Sequence, residues 1–460
     1  MILFQRIRLS RLPQNRNSRF GGFARARNGE FTLDLLLSSK QIRPNLLNKV
    51  KTPIHSVAVR RFALATILVA ALAPTLCAED WPQWRGPQRN GISTEKDWFD
   101  AWPASGPKIA WKAKVGLGFS SFVIAQGRVF TMGHTDEKDT VWCFDAATGK
   151  EVWKHSYPAE LGDKFYDGGT TGTPTVAGDR VYTLSRWGNA FCFDAATGKI
   201  VWSKNVQTET DVPIPDWGFT GAPLIHENLV VLNVGDAGLA LDKVTGKMAW
   251  KSANKKAAYS TPLPVQRDGQ TLVLIGSGDS YVAVNVADGK EAWRTRWVTE
   301  YGVNASDPIL DGDRLFLSTG YGKGSGMFKL GAGAPEQVWT SKKLRTQLNA
   351  AVLFKGHLYG VDGDTSQKAS LKCLDFATGE EKWTQPNFGS GGVVSADGKL
   401  IALSGTGELS VGPATPESFK PAARAQVLGG KCWTAPVLAN GIIYCRNGRG
   451  DVTAVDVRKN

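Results

Sequence analysis

The chain has 460 residues, including 51 glycines and 16 tryptophans, and a net charge of +13. The charge does not mark a nucleic-acid protein: residues 1–61 hold 13 Lys/Arg against Glu30 and Asp34, which leaves the rest close to neutral and without a basic footprint. No run of 18 or more apolar residues occurs, so the composition excludes a membrane-spanning helix.

Residues 1–56 form an Arg- and Asn-rich extension with no sustained period. It reads as a start codon placed too early, with Val57 the alternative. From there the chain carries a secretory signal over 57–78: Arg60-Arg61, an apolar run from Phe62 to Ala73, then Pro74-Thr-Leu-Cys-Ala78 with a small residue at the cut. Leu76 stands where a lipoprotein signal needs a small residue, so Cys77 is not read as a lipid anchor. A mature chain starting near Glu79, in the periplasm or secreted, is expected. Residues 79–107 read as a leader packed on the domain that begins at 108.

From residue 108 one pattern recurs: FDAATGKEVW at 144–153, FDAATGKIVW at 193–202, LDKVTGKMAW at 241–250, VNVADGKEAW at 284–293 and LDFATGEEKW at 374–383. Trp339 ends a degenerate copy whose turn has drifted to Ala332-Gly-Ala-Pro335. A period near 45 with turns inside each unit predicts a β-propeller of four-stranded blades. Residues 392–428 make a weak seventh unit, with Val427 where Trp is expected, and 435–456 supply three strands of an eighth. The missing strand lies at the other end, because Lys108-Ile-Ala-Trp111-Lys matches Lys199-Ile-Val-Trp202-Ser. The expected fold is therefore all-β, an eight-bladed monomer over 108–460 closed by its N-terminal strand.

The motif has a mechanical reading. Asp145 and its equivalents accept N–H bonds within the turn, and Gly149, Gly198, Gly246, Gly289 and Gly379 supply its positive φ. Trp111, Trp153, Trp202, Trp250, Trp293, Trp339 and Trp383 are structural, each burying roughly 150–250 Å² between blades. Cys143, Cys192 and Cys373 share one third-strand position, and no disulfide framework is visible. The five histidines lack metal-ligand spacing.

In its recurring Asp-x-x-Thr-Gly-x-x-x-Trp unit the chain resembles the pyrroloquinoline-quinone (PQQ) repeat propellers, within the quinoprotein alcohol dehydrogenase-like superfamily, whose signature is an Ala-x-Asp-x-x-Thr-Gly-x-x-x-x-Trp unit. The segment WPQWRGPQRNGIS at 81–93 is similar to the opening of secreted members common in planctomycete-type bacteria. The resemblance implies one of two functions. One branch is non-catalytic and BamB-like, including the periplasmic lipoprotein of the outer-membrane β-barrel assembly complex. The other branch oxidises alcohols, and holds PQQ over a Trp with Ca²⁺ bound by Glu, Asn and Asp and a disulfide of adjacent cysteines. Here no two cysteines are adjacent, and only Asp307 and Asn349 offer a partial metal constellation, with a strand-end cap the simpler reading of Asp307. The expected function is thus a scaffold without cofactor or catalytic residue, with a PQQ- and calcium-dependent dehydrogenase as the alternative. A protein or glycan partner should meet the loops that lead into each first strand, through Trp217, Arg296, Trp297, Tyr301, Asn304, Arg345, Asn349 and Trp433. Phe165-Tyr166 reads as ordinary loop composition.

Overall fold

A computed structural model describes residues 79–365 and 368–459. The extension and signal read over 1–56 and 57–78 lie outside the described residues. What is described is a ring of eight four-stranded antiparallel blades with almost no helix. Blade II shows how sequence becomes blade. Its strands are Thr175–Ala177, Arg180–Leu184, Asn189–Asp194 and Ile200–Asn205. They are β-branched and aromatic runs, joined by tight turns at Gly178 and Gly188 (φ +60° and +87°) that L-residues resist. Blade I begins at Val123–Ala125, and the innermost strands of blades III to VII begin at Leu224, Leu263, Ile309, Val352 and Gly392.

Blade VIII confirms the expected closure. Its inner three strands are Val437–Ala439, Ile442–Arg446 and Asp451–Asp456, and its outer strand is Lys108–Lys114. That strand pairs antiparallel with 451–456, Trp111 opposite Ala454. Lys108 Nζ and Arg458 also hold the Asp456 carboxylate at 2.9 and 2.7 Å.

The core lies between blades. Tyr182, Leu184, Cys192 and Trp202 of blade II, for example, pack on Val230, Leu232 and Leu241 of blade III. Each repeat tryptophan reaches forward to the next blade. Trp111, Trp153, Trp202, Trp250, Trp339 and Trp383 donate Nε1–H to Ala146, Ala195, Lys243, Val286, Ala377 and Thr415 carbonyls at 2.8–3.0 Å. The rings lie against the turn glycines, so a Cβ on Gly149 would sit 2.5 Å from Trp111. Trp293, beside the blade with the drifted turn, packs among Leu315, Leu317 and Leu330. The aspartates act as expected: Asp145 accepts both the amide and hydroxyl of Thr148, at 2.9 and 2.6 Å. All five described cysteines are buried free thiols.

Residues 79–107 do more than lie on the surface. The segment meets the ring on the face of the first-to-second-strand turns, where Asp80 accepts from Gln126 N and Glu95 from the amides of Asn440 and Gly441. Ile92–Ser93 adds a fifth, parallel strand to blade VII, beside Ser395 and Ala396. Between these anchors the chain loops into the channel. Trp81 is buried and bridges Ile124, and Arg85 is buried beside blade VI. No helix among the described residues is long and apolar enough to cross a membrane.

Candidate functional site

The inter-blade loops open on the opposite face, where the channel widens into a cavity of about 230 Å³. Its walls follow the repeat. The residue four places before the start of each innermost strand in blades I to VI and VIII lines it: Phe119, Thr171, Thr220, Tyr259, Ala305, Leu348 and Trp433. A second tier, two places before the strand, contributes Thr173, Ala222, Thr261 and Asp307. Phe165, Tyr166, Trp217 and Tyr321 come from the loops, and Trp84 of the leader reaches the cavity from the other face.

The aromatic side chains form two groups. Trp217 packs between Phe165 (5.2 Å between centroids) and the edge of Tyr259 (5.7 Å). Phe119 stacks on Trp433 at 4.8 Å, with Tyr166 at 6.0 Å. Burial among these rings pushes the Tyr166 hydroxyl up to about 12 and keeps it neutral.

The role of Asp307 emerges when the second tier is compared across blades. Ser121 N donates to Thr173 Oγ1 at 3.0 Å, and Ala222 N to Thr261 Oγ1 at 3.2 Å. Thr261 N in turn donates to Asp307 Oδ1 at 2.7 Å. The carboxylate stands where a threonine hydroxyl stands elsewhere, capping its neighbour's strand. Its Oδ2 accepts from Trp84 Nε1. Burial raises its affinity for a proton, opposed by the Arg85 charge and by those two donors. Arg85 itself is engaged by carbonyls, donating to Ala350 and Ala351 at 3.0 and 2.8 Å and to Asn90 at 3.0 Å.

The residues expected at the mouth divide. Trp217, Asn349 and Trp433 line the cavity, and Asn349 Nδ2 donates to the Gly391 and Trp433 carbonyls at 3.1 and 2.8 Å. Tyr301 is 64% exposed at the rim, against the edge of Tyr321, and Arg296 is exposed. Trp297 and Asn304 are not surface groups. The loop after blade IV turns Trp297 inward, where it is 3% exposed, donates to Thr319 Oγ1 and packs on Phe328. Asn304 is fully buried and ties Ser277 and Trp297 carbonyls. Arg345 is held in a two-pronged ion pair with Asp362, at 2.9 and 3.1 Å. Phe165 and Tyr166, read as plain loop, belong to the wall.

A bound PQQ and Ca²⁺ fit this set poorly. Among the described residues no Lys or Arg lines the cavity to meet a carboxylated quinone, and both oxygens of its one carboxylate, Asp307, already accept N–H bonds. Calcium calls for about six to eight oxygens.

Comparison with known proteins agrees with the architecture. The crystal structure of BamB from Moraxella catarrhalis superposes with a TM-score of 0.58 at 16% identity, over 76% of this chain and 99% of that one. Quinohemoprotein alcohol dehydrogenase from Comamonas testosteroni gives 0.61 at 15%, over 83% and 81%. At such identities the likeness speaks for the fold alone. No curated protein matches the chain. The family model described as outer membrane protein assembly factor BamB matches residues 137–385, more than half of the sequence, and the chain therefore belongs to this family of PQQ-like repeat propellers.

Proposed function

We propose that the protein is an exported, non-catalytic binding propeller that holds its partner or ligand at the inter-blade-loop face, in the aromatic cavity. The observation that carries this reading is the cavity's chemistry: aromatic rings, hydroxyls and amides, with a single carboxylate engaged on both oxygens. Catalysis by proton or hydride transfer wants a base free to reach its substrate. Asp307 instead caps a strand and faces Trp84. Exposed aromatics around a concave mouth supply contact area at low entropic cost, as binding faces require. The sequence-level export signal and the family's BamB member support a place outside the cytoplasm.

The test is direct. The purified full chain, given PQQ and CaCl₂, is assayed for dye-linked alcohol oxidation. No stimulated turnover is expected. Turnover that Asp307→Asn abolishes would replace this reading with the dehydrogenase one.

A further inference from the structure

We propose that the cavity takes one neutral pyranose ring, either a free sugar or the end of a glycan chain; this rests on the reading of the mouth as a binding site. Size is the first argument. At about 230 Å³ the cavity lies below the roughly 300–1,000 Å³ of pockets for drug-sized ligands, so it holds about one ring. Shape and chemistry are the second. A pyranose has apolar C–H faces and an equator of hydroxyls. The faces suit the two aromatic groups, Trp217 with Phe165 and Tyr259, and Trp433 with Phe119.

The polar groups left over suit the equator. Gln347 accepts Gly320 N through Oε1, which leaves its Nε2 donors available. Asn349 uses Nδ2 on two carbonyls, which leaves Oδ1 as an acceptor. Thr171 keeps a buried hydroxyl with no protein partner among the described residues. Each sugar hydroxyl both donates and accepts, so a mixed set of this kind fits it better than a purely accepting or purely donating ligand.

Charge is the third argument. Among the described residues no cation lines the cavity itself: at the rim Lys431 pairs with Asp167 at 2.7 Å and lies over Trp433, while the buried Arg186 sits behind the wall and donates to the Tyr166 hydroxyl and the Leu161 carbonyl. An acidic sugar would find no counter-charge within the lining itself, and the one carboxylate there, Asp307, already accepts an N–H bond on each oxygen.

Saturation-transfer NMR and calorimetry on the full chain test this. The probes are methyl glucopyranoside, galactopyranoside and mannopyranoside in both anomers, N-acetylglucosamine, glucuronate and N-acetyltryptophanamide. At least one neutral sugar should bind, with transfer strongest at its ring C–H protons, and glucuronate should bind more weakly. Trp217→Ala should lower affinity about tenfold, the scale of one lost aromatic contact, and Trp217→Phe should restore most of it. Thermal midpoints of both variants, measured alongside, separate lost binding from lost folding. Failure of every neutral sugar, or binding indifferent to Trp217→Ala in a folded variant, overturns the proposal. Binding of N-acetyltryptophanamide alone also overturns it, and assigns the cavity to an aromatic side chain of a protein partner. These outcomes leave the binding reading standing, whereas PQQ-dependent oxidation would remove both.

Discussion

The contact between Trp111 and the Gly149 turn joins blade VIII to blade I, and Gly149→Ala probes it. Gly149 has φ +69°, so the left-handed conformation costs any L-residue there about 1–2 kcal/mol. The new methyl would also sit 2.5 Å from the Trp111 ring, which must move. Moving it breaks the 2.9 Å bond to the Ala146 carbonyl and strands a buried N–H, at about 1–3 kcal/mol. The expected loss is about 2–5 kcal/mol, the sum of the two. Gly127→Ala is the control, because φ is +71° there but nothing lies within 4 Å of the added carbon. It should lose only the backbone part, about 1–2 kcal/mol. Guanidinium unfolding at matched slopes gives both values. In a Trp111→Ala background, itself destabilised by about 3–5 kcal/mol, Gly149→Ala should fall to the level of the control, so the double-mutant cycle isolates the contact. Equal costs for Gly149→Ala and Gly127→Ala in the natural chain would refute the interlock.

Two further outcomes concern charged groups. Arg85→Met removes the cation that offsets Asp307 in the channel and should destabilise by about 3–4 kcal/mol, the lower part of the range for a stranded buried charge because Asp307 still touches the cavity; Asp307→Asn added to it should recover part of the loss in thermal unfolding, the rest lying in the carbonyls that Arg85 no longer meets. Asp456 is held well below the usual carboxylate range, first by its Arg458 partner and then, against burial, by Lys108. A depressed folded pKa means stability that is present above the ordinary carboxylate range and lost as pH falls through it toward the folded value. Unfolding midpoints of the natural chain should therefore drop below about pH 4, while Asp456→Asn starts lower at pH 7 and stays flatter; parallel profiles would contradict this.

The ring was legible in the sequence because its parts are local. Asp, Thr-Gly and Trp lie within ten residues of one another, and their geometry repeats wherever they do. Closure was legible for the same reason, since the strand around Trp111 carries the outer-strand pattern in isolation. The cavity was legible only in part. Loop position alone points to Trp217, Asn349 and Trp433, but Trp297 and Asn304 lie in the same kind of loop and point inward. Whether a loop side chain faces the channel depends on a turn such as Tyr301, at φ +61°, that no periodicity marks. A better signal was present: counting four and two residues back from each innermost strand picks out Phe119, Tyr259 and Thr261 directly. Trp84 was beyond reach, because the segment 81–93 has no period and its seat exists only once several blades have assembled.

Ring closure also sets a timetable for synthesis. Lys114 and Asp451, neighbours across the seam of blade VIII, are separated by 337 residues, which at about 5–20 residues per second take roughly 17–67 s to make. Throughout that interval the 108–114 strand has exposed its backbone donors and acceptors and has no partner for them. An unpaired strand invites pairing with any other nascent chain. The sequence Lys108-Ile-Ala-Trp-Lys-Ala-Lys114 places lysines at both ends and in the middle of that edge for as long as the wait lasts, so the strand that seals the ring also carries its own protection against sealing the wrong one.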